Sequence, residues 1–143
     1  MSEHPGRHSV SVAAVITDDQ GRALLIQRRD NHRWEAPGGV LELAESIHDG
    51  LRREVREETG LDVEPAALTG VYKNMNLGVV NLVFRCTVLG GRLTENDEVV
   101  AFRWASEADT RELAVEAHAA RVLDALRAGE PPAVRQHDGT RLL

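Results

Sequence analysis

The sequence predicts an α+β fold: strands, one amphipathic helix, further strands, and a closing helix. Three observations carry this expectation. Short β-branched and apolar runs are bounded by turn residues, as in SVSVAAVIT before Asp18. Ile47, Leu51 and Val55 recur at i, i+4 and i+8, the spacing of a helix with one buried stripe. Leu113, Ala117, Ala120 and Leu123 repeat helical spacing near the C-terminus.

A chain of 143 residues suits a single domain, 1–143, with a hydrophobic core. The net charge of -6 argues against a general nucleic-acid or acidic-membrane surface. It leaves room for a small phosphorylated substrate in a local basic pocket. Cys86 is the single cysteine, which rules out an intrachain disulfide and fits a reducing compartment. The N-terminus lacks a signal-peptide apolar core, and no apolar run has the length of a membrane span. A cytoplasmic location is the expectation.

Taken in order, residues 1–7 read as a loose terminus. Alternation at Val10, Val12, Ala14 and Ile16 predicts a strand over 8–17. Asp18 to Gly21 is turn chemistry, and 23–28 is a second apolar run, so the pair reads as a β-hairpin. Trp34-Glu35-Ala36-Pro37-Gly38-Gly39 is expected to break regular structure. A helix follows from Glu45 or Ser46 to a stop at Gly60, with Leu61 as the next apolar contact. Residues 62–69, holding Pro65, read as a connector, and 70–76 and 79–89 as strands. A polar loop over 94–98 carries Glu95, Asp97 and Glu98 before a strand over 99–104. The second helix is expected over 110–128, with Asp109 and Glu112 as its capping pattern and Gly129 as its stop. Residues 130–143 read as a tail packed on the surface.

The chemistry concentrates in the first helix. Glu54, Glu57 and Glu58 crowd one turn, and Glu54 with Glu58 is a repelling i,i+4 pair. A hard divalent cation between them would turn that repulsion into attraction. Oxygen-only ligands point to Mg2+, Mn2+ or Ca2+. The same acids also fit a solvated face balanced by Arg52, Arg53 and Arg56.

The wider spacing decides between these readings. Gly39 is followed after five residues by Glu45, and after seven more by Arg53-Glu54-Val55-Arg56-Glu57-Glu58-Thr59-Gly60-Leu61. This resembles, at every fixed position, the Nudix box G-x5-E-x7-R-E-U-x-E-E-x-G-U, where U is bulky and aliphatic. The preceding hairpin, the entry from Trp34 to Gly39 and the later element order extend the resemblance over most of the chain. It implies a Nudix fold, a mixed β-sheet sandwiched between α-helices (α/β/α). It also implies a metal-dependent pyrophosphohydrolase acting on a nucleoside diphosphate linked to another moiety, with Mg2+ or Mn2+ as cofactor. The implied partner is a small-molecule nucleotide, not a nucleic acid polymer or a membrane. Many members of the family are dimers, so a homodimer stands among the expectations.

By position, Glu54, Glu57 and Glu58 resemble the family's metal ligands, joined by the backbone carbonyl of Gly39. Glu45 and Arg53 resemble the pair that braces the loop against the helix. Glu57 or Glu58 is expected to couple to the attacking water. The base varies in this family, and a later loop sometimes supplies it; Glu98, then Glu95, stands where such a residue would come from. Arg28 and Arg29 are candidates for phosphate contacts, since guanidinium binds phosphate oxygens bidentately. They fit ordinary exposed arginines equally well.

Trp34 suits core packing better than base stacking, while Tyr72 and Phe84 are open. His48 reads as a surface residue, Cys86 as inert packing, and the other histidines lack metal-ligand spacing. Outside the box, two family markers of substrate are absent. A proline about fifteen positions beyond it accompanies ADP-ribose hydrolysis, and a slightly later tyrosine accompanies dinucleoside polyphosphate hydrolysis. Asn76, Leu77 and Gly78 stand in that region, and Tyr72 comes too early. A small MutT-like nucleoside triphosphatase is the mild preference. The alternative is a catalytically silent nucleotide-sensing domain, but such domains usually lose box acids and this chain keeps them all.

Overall fold

In the computed structural model, which describes residues 6–127 and 129–143, the elements run β1 (Ser9–Ile16), β2 (Ala23–Arg28), β3 (Trp34–Glu35), β4 (Gly38–Val40), α1 (Ile47–Thr59), β5 (Leu61–Asn74), β6 (Val79–Gly91), β7 (Val99–Ala105), α2 (Glu107–Leu113), α3 (Glu116–Ala125) and β8 (Ala133–His137). Most of the terminus expected to be loose, residues 1–5, lies outside the described residues.

β1 is buried on both faces and centres the molecule. Val12, Ala14 and Ile16 join Leu51 and Val55 of α1 in one core. Ala13 and Val15 join Ala120, Val122 and Ala125 of α3 in the other. The period of two along a strand makes this double duty possible. The result is the expected α/β/α sandwich around a mixed five-stranded sheet in the order β4-β1-β6-β5-β8. Here β1 runs parallel to β6 and antiparallel to β4, and β5 runs parallel to β8. A second, antiparallel sheet has the order β3-β2-β7.

Several local expectations change. β1 and β2 do not form a hairpin: only Thr17 and Ala23 bridge beyond the turn, and the strands then enter different sheets. With β4 and β6 on its two edges, β1 has no edge left for β2. The stretch from Trp34 to Gly39 is not irregular throughout, since β3 and β4 lie within it. The connector over 62–69 is part of β5, where register shifts around Val63, Pro65 and Leu68 absorb the proline. The helix over 110–128 is two helices. α2 starts at Ser106, whose side chain accepts from the Asp109 N–H at 3.1 Å while Asp109 returns the bond, so the cap is not Asp109 with Glu112. α3 ends at Ala125, short of Gly129. The segment 130–143 contains β8, with His137 buried, and so belongs to the sheet.

Candidate active site

Helix α1 starts and stops on local chemistry. Ser46 caps it by accepting the Asp49 N–H at 3.2 Å, and Gly60 closes it in the left-handed region at φ 83°, its N–H donating to the Arg56 carbonyl at 2.9 Å. Leu51 and Val55 are fully buried, but Ile47, expected in the same stripe, is 41% exposed. The three glutamates also part company. Glu58 is buried and Glu54 nearly so, whereas Glu57 is more than half exposed.

Arg53 accounts for much of this split. Its Nε and Nη2 donate to the two carboxylate oxygens of Glu45 at 2.9 and 2.6 Å, and its Nη1 donates to Glu54 at 2.9 Å and to Glu57 at 3.2 Å. Nη2 also approaches the Val40 carbonyl at 3.3 Å. A bidentate pair of this kind fixes direction as well as distance, so the loop at Glu45 is tied to the helix. The bond from Arg53 holds the Glu45 carboxyl down at about 2, and the acids raise the guanidinium in return.

Beside this clamp opens a cleft of about 610 Å³. Glu54 and Glu58 form one wall and Gly38 and Gly39 of β4 the next. Arg28 and Arg29 at the end of β2 face Asp97 and Glu98 before β7. Gly39 sits so close to α1 that a Cβ there would lie 2.4 Å from the Glu54 carboxyl carbon. Burial raises the pKa of Glu54 against the pull of Arg53, with Glu57 and Glu98 adding to the rise. Glu58 is pushed up to about 8, chiefly by burial and also by Glu54, Glu35 and Glu98. The Gly38 N–H, which donates to Glu58 Oε1 at 2.7 Å, opposes that rise without cancelling it.

The loop over 94–98 is drawn in by a residue that spacing did not single out. Asn96 donates to the Glu58 carbonyl at 2.8 Å and accepts from the Glu98 and Val99 amides at 2.9 and 3.1 Å. Arg29 reinforces it: its backbone N–H donates to the Glu98 carbonyl and its Nε to the Asp97 carbonyl, both at 2.9 Å. The affinity of Asn for such local turns is the one signal in the sequence that marks position 96.

Glu54, Glu58, Glu98, Gly39, Arg28 and Arg29 are therefore brought to one cleft. Glu57 is not on its lining and leans to Arg53, and Glu95 lines a separate depression with Asn96 and Asp97. Arg28 is already engaged, with Nε 2.9 Å from Asp30 and Nη1 3.5 Å from Glu35. Arg29 has no carboxylate within ion-pair distance among the described residues, so its charge is the less neutralised of the two. Trp34 packs on the α3-side core and Phe84 lies in the α1-side core, its ring met edge-on by the exposed His48. Tyr72 is fully buried with its hydroxyl donating to Asp124 at 2.6 Å, and burial raises the Cys86 thiol to about 12. None of these touches the cleft.

No three or more His, Cys, Asp or Glu side chains among the described residues are gathered into a cage; Arg53 engages Glu54 and Glu57, and the Gly38 amide engages Glu58. The donor set nevertheless fits a hard divalent ion. It is all oxygen, and it places two mutually repelling carboxylates beside a backbone that approaches them without a side chain.

Comparison with other proteins agrees with this geometry. A family model described as NUDIX domain matches residues 7–126. A MutT-like protein of Streptomyces ambofaciens is 50% identical over 139 residues, covering 97% of this chain and 90% of the relative. An ADP-ribose pyrophosphatase of Methanocaldococcus jannaschii is 34% identical over 102 residues, or 66% of this chain, which spans 58% of that relative's length. The crystal structure of an ADP-ribose pyrophosphatase from Streptococcus suis superposes with a TM-score of 0.77 at 26% identity, covering 92% of this chain and 100% of that one. No described helix is long and apolar enough to cross a membrane. The cap, clamp and paired acids of α1, with the matching family model, establish that this chain belongs to the Nudix hydrolase family.

Proposed function

We propose that the chain is a divalent-metal-dependent pyrophosphohydrolase of nucleoside diphosphate derivatives, with nucleoside triphosphates included. One observation carries the reading: Glu54 and Glu58 are buried, of like charge, and face Arg29 and Glu98 across a single cleft. Desolvated carboxylates are costly when they are not fully neutralised; Arg53 engages Glu54, but Glu58 meets only the Gly38 N–H among the described residues, and an oxygen-binding cation suits the pair. Glu54, Glu58 and the Gly39 carbonyl would hold Mg2+ or Mn2+, with Glu57 able to join by leaving Arg53. Bound metal supplies charge neutralisation at phosphorus and a more acidic water.

The protein's own groups divide the remaining work. Arg29 holds a phosphate oxygen, with Arg28 as a second contact once it releases Asp30. Arg53 and Glu45 fix the loop that presents the Gly39 carbonyl. Glu98 reaches the cleft from a separate element and takes the proton from the attacking water, which leaves Glu54 and Glu58 ionised. The mild preference for a triphosphatase rests on Asn76, Leu77 and Gly78 standing where the markers of ADP-ribose and dinucleoside polyphosphate hydrolysis would lie.

Incubation with Mg2+ and a panel of nucleoside triphosphates, nucleotide sugars and ADP-ribose, with products identified, tests this. Cleavage between phosphates that vanishes in Glu54→Gln and Glu58→Gln is expected. A wild type that binds a nucleotide and releases no product would favour a silent sensor instead.

A further inference from the structure

Outside the box, one side chain joins the two halves of the candidate site. Asn96 lies in the irregular segment 92–98 between β6 and β7. This segment folds over the C-terminal end of α1, where the Thr94 N–H donates to the Thr59 carbonyl at 2.9 Å. Gly60 makes room for it: a Cβ there would lie 2.4 Å from the Arg92 carbonyl oxygen. At this junction the Asn96 amide works in both directions. Its Nδ2 donates to the Glu58 carbonyl at 2.8 Å, and its Oδ1 accepts the Glu98 and Val99 amides at 2.9 and 3.1 Å. An ionised carboxylate accepts but cannot donate, so aspartate would keep the bonds to the loop and lose the bond to the helix.

Glu98 depends on its backbone for direction. Its side chain is exposed on the rim of the cleft. Both of its peptide groups are pinned: Asn96 Oδ1 accepts its N–H, and its carbonyl accepts the Arg29 N–H at 2.9 Å. The ladder between β2 and β7 then slips, with Gln27 facing Ala101, Arg28 facing Val99 and Val100 passed over. A bulge of this kind re-aims the side chains beside it.

We propose that Asn96 is a positioning residue that fixes the reach of Glu98 toward Glu54 and Glu58. The inference rests on the pyrophosphohydrolase reading, in which Glu98 takes the proton from the attacking water. Asn96 need touch no substrate in this role. It sets the distance between groups on two separate elements, the loop that carries Glu98 and the last turn of α1 that carries Glu58. Rate depends steeply on such distances, since a misplacement of about 1 Å costs on the order of 10²-fold.

The test measures kcat, KM and Mn2+ affinity for Asn96→Ala and Asn96→Asp, each made in the wild type and in Glu98→Gln, with the best substrate of the nucleotide panel. Asn96→Ala should lower kcat by about 10²-fold, with KM and Mn2+ affinity changing less. In the Glu98→Gln background the same substitution should cost little, because an amide that takes no proton gains nothing from being aimed. Asn96→Asp should fall between the wild type and Asn96→Ala; if the alanine variant does not fold, the aspartate variant carries the comparison. An unchanged kcat, an equal loss in both backgrounds, or a fall in Mn2+ affinity matching that in kcat would overturn the proposal. Turnover left intact by Glu98→Gln would overturn it at the base. A wild type that turns over no nucleotide would sink the hydrolase reading itself, and the proposal with it.

Discussion

Two arginines on opposite sides of the central sheet are treated in opposite ways. Arg53 on α1 is saturated, with bonds to Glu45, Glu54 and Glu57 between 2.6 and 3.2 Å. Arg121 on α3 lies over the Tyr72 ring at 5.8 Å and has an unpartnered Nε, with burial working against its charge. The first spends its hydrogen bonds on the protein's own loop, the second withholds them. Buried donors are expensive to leave unpaired, so the difference teaches that the α1 side is preassembled while the α3 side keeps a guanidinium nitrogen unpaired among the described residues.

The comparison is sharpened most by the cleft acid that Asn96 and Arg29 hold in place. Glu98→Gln should lower kcat by about 10²–10⁴-fold, the usual worth of a general base, with Mn2+ binding by calorimetry unchanged. A parallel loss of Mn2+ affinity would make Glu98 a ligand and not the base. Arg53→Ala comes next. It frees the Glu45 loop and the Glu54 carboxylate together, and should weaken Mn2+ binding by about 10–100-fold, as loss of an outer-shell partner does. Unchanged affinity would break the claim that this arginine preassembles the site.

Much of the α1 side was legible because its constraints are close in sequence. The Ser46 cap, the Gly60 stop and the Glu45–Arg53 clamp all fall within the box, and side chains a few residues apart on a helix meet whatever surrounds them. The burial of Glu58 and the escape of Glu57 were not legible, since they depend on β4 and the loop at Asn96. On the α3 side the partners are remote. The break after Leu113 is held by Ala117 donating its N–H to the Thr140 carbonyl and by the Leu142 N–H donating to Glu116. β8 pairs with β5 across the whole intervening chain, and its burial alternates without a matching alternation of apolar and polar residues in Ala-Val-Arg-Gln-His. A one-dimensional pattern does not register such contacts.

The remaining expectations concern how firmly the α3 side is anchored. Tyr72→Phe removes a buried hydrogen bond to Asp124 while Arg135 still holds that carboxylate at 2.7 and 2.8 Å. A stability loss of about 1 kcal/mol is expected by denaturant titration. A loss near zero would mean that Arg135 alone suffices.

The last expectation is a pH dependence, and it separates the two sides by sign. Burial, with Arg121 and Arg33 nearby, holds His118 at about 3, below its ordinary value of 6.5. The unfolded chain therefore binds a proton that the folded one refuses, and stability falls as pH drops from about 6.5 toward 3. The cleft acids act in the opposite direction, because burial raises them, Glu58 to about 8. They are common to wild type and His118→Asn, so the difference between the two proteins isolates the imidazole. Thermal melts between pH 7 and 4 should show the wild type losing stability relative to the variant by at most about 1.4 kcal/mol per pH unit. Parallel curves would mean that His118 is already satisfied by water, and that the α3 side is less starved of partners than Arg121 makes it.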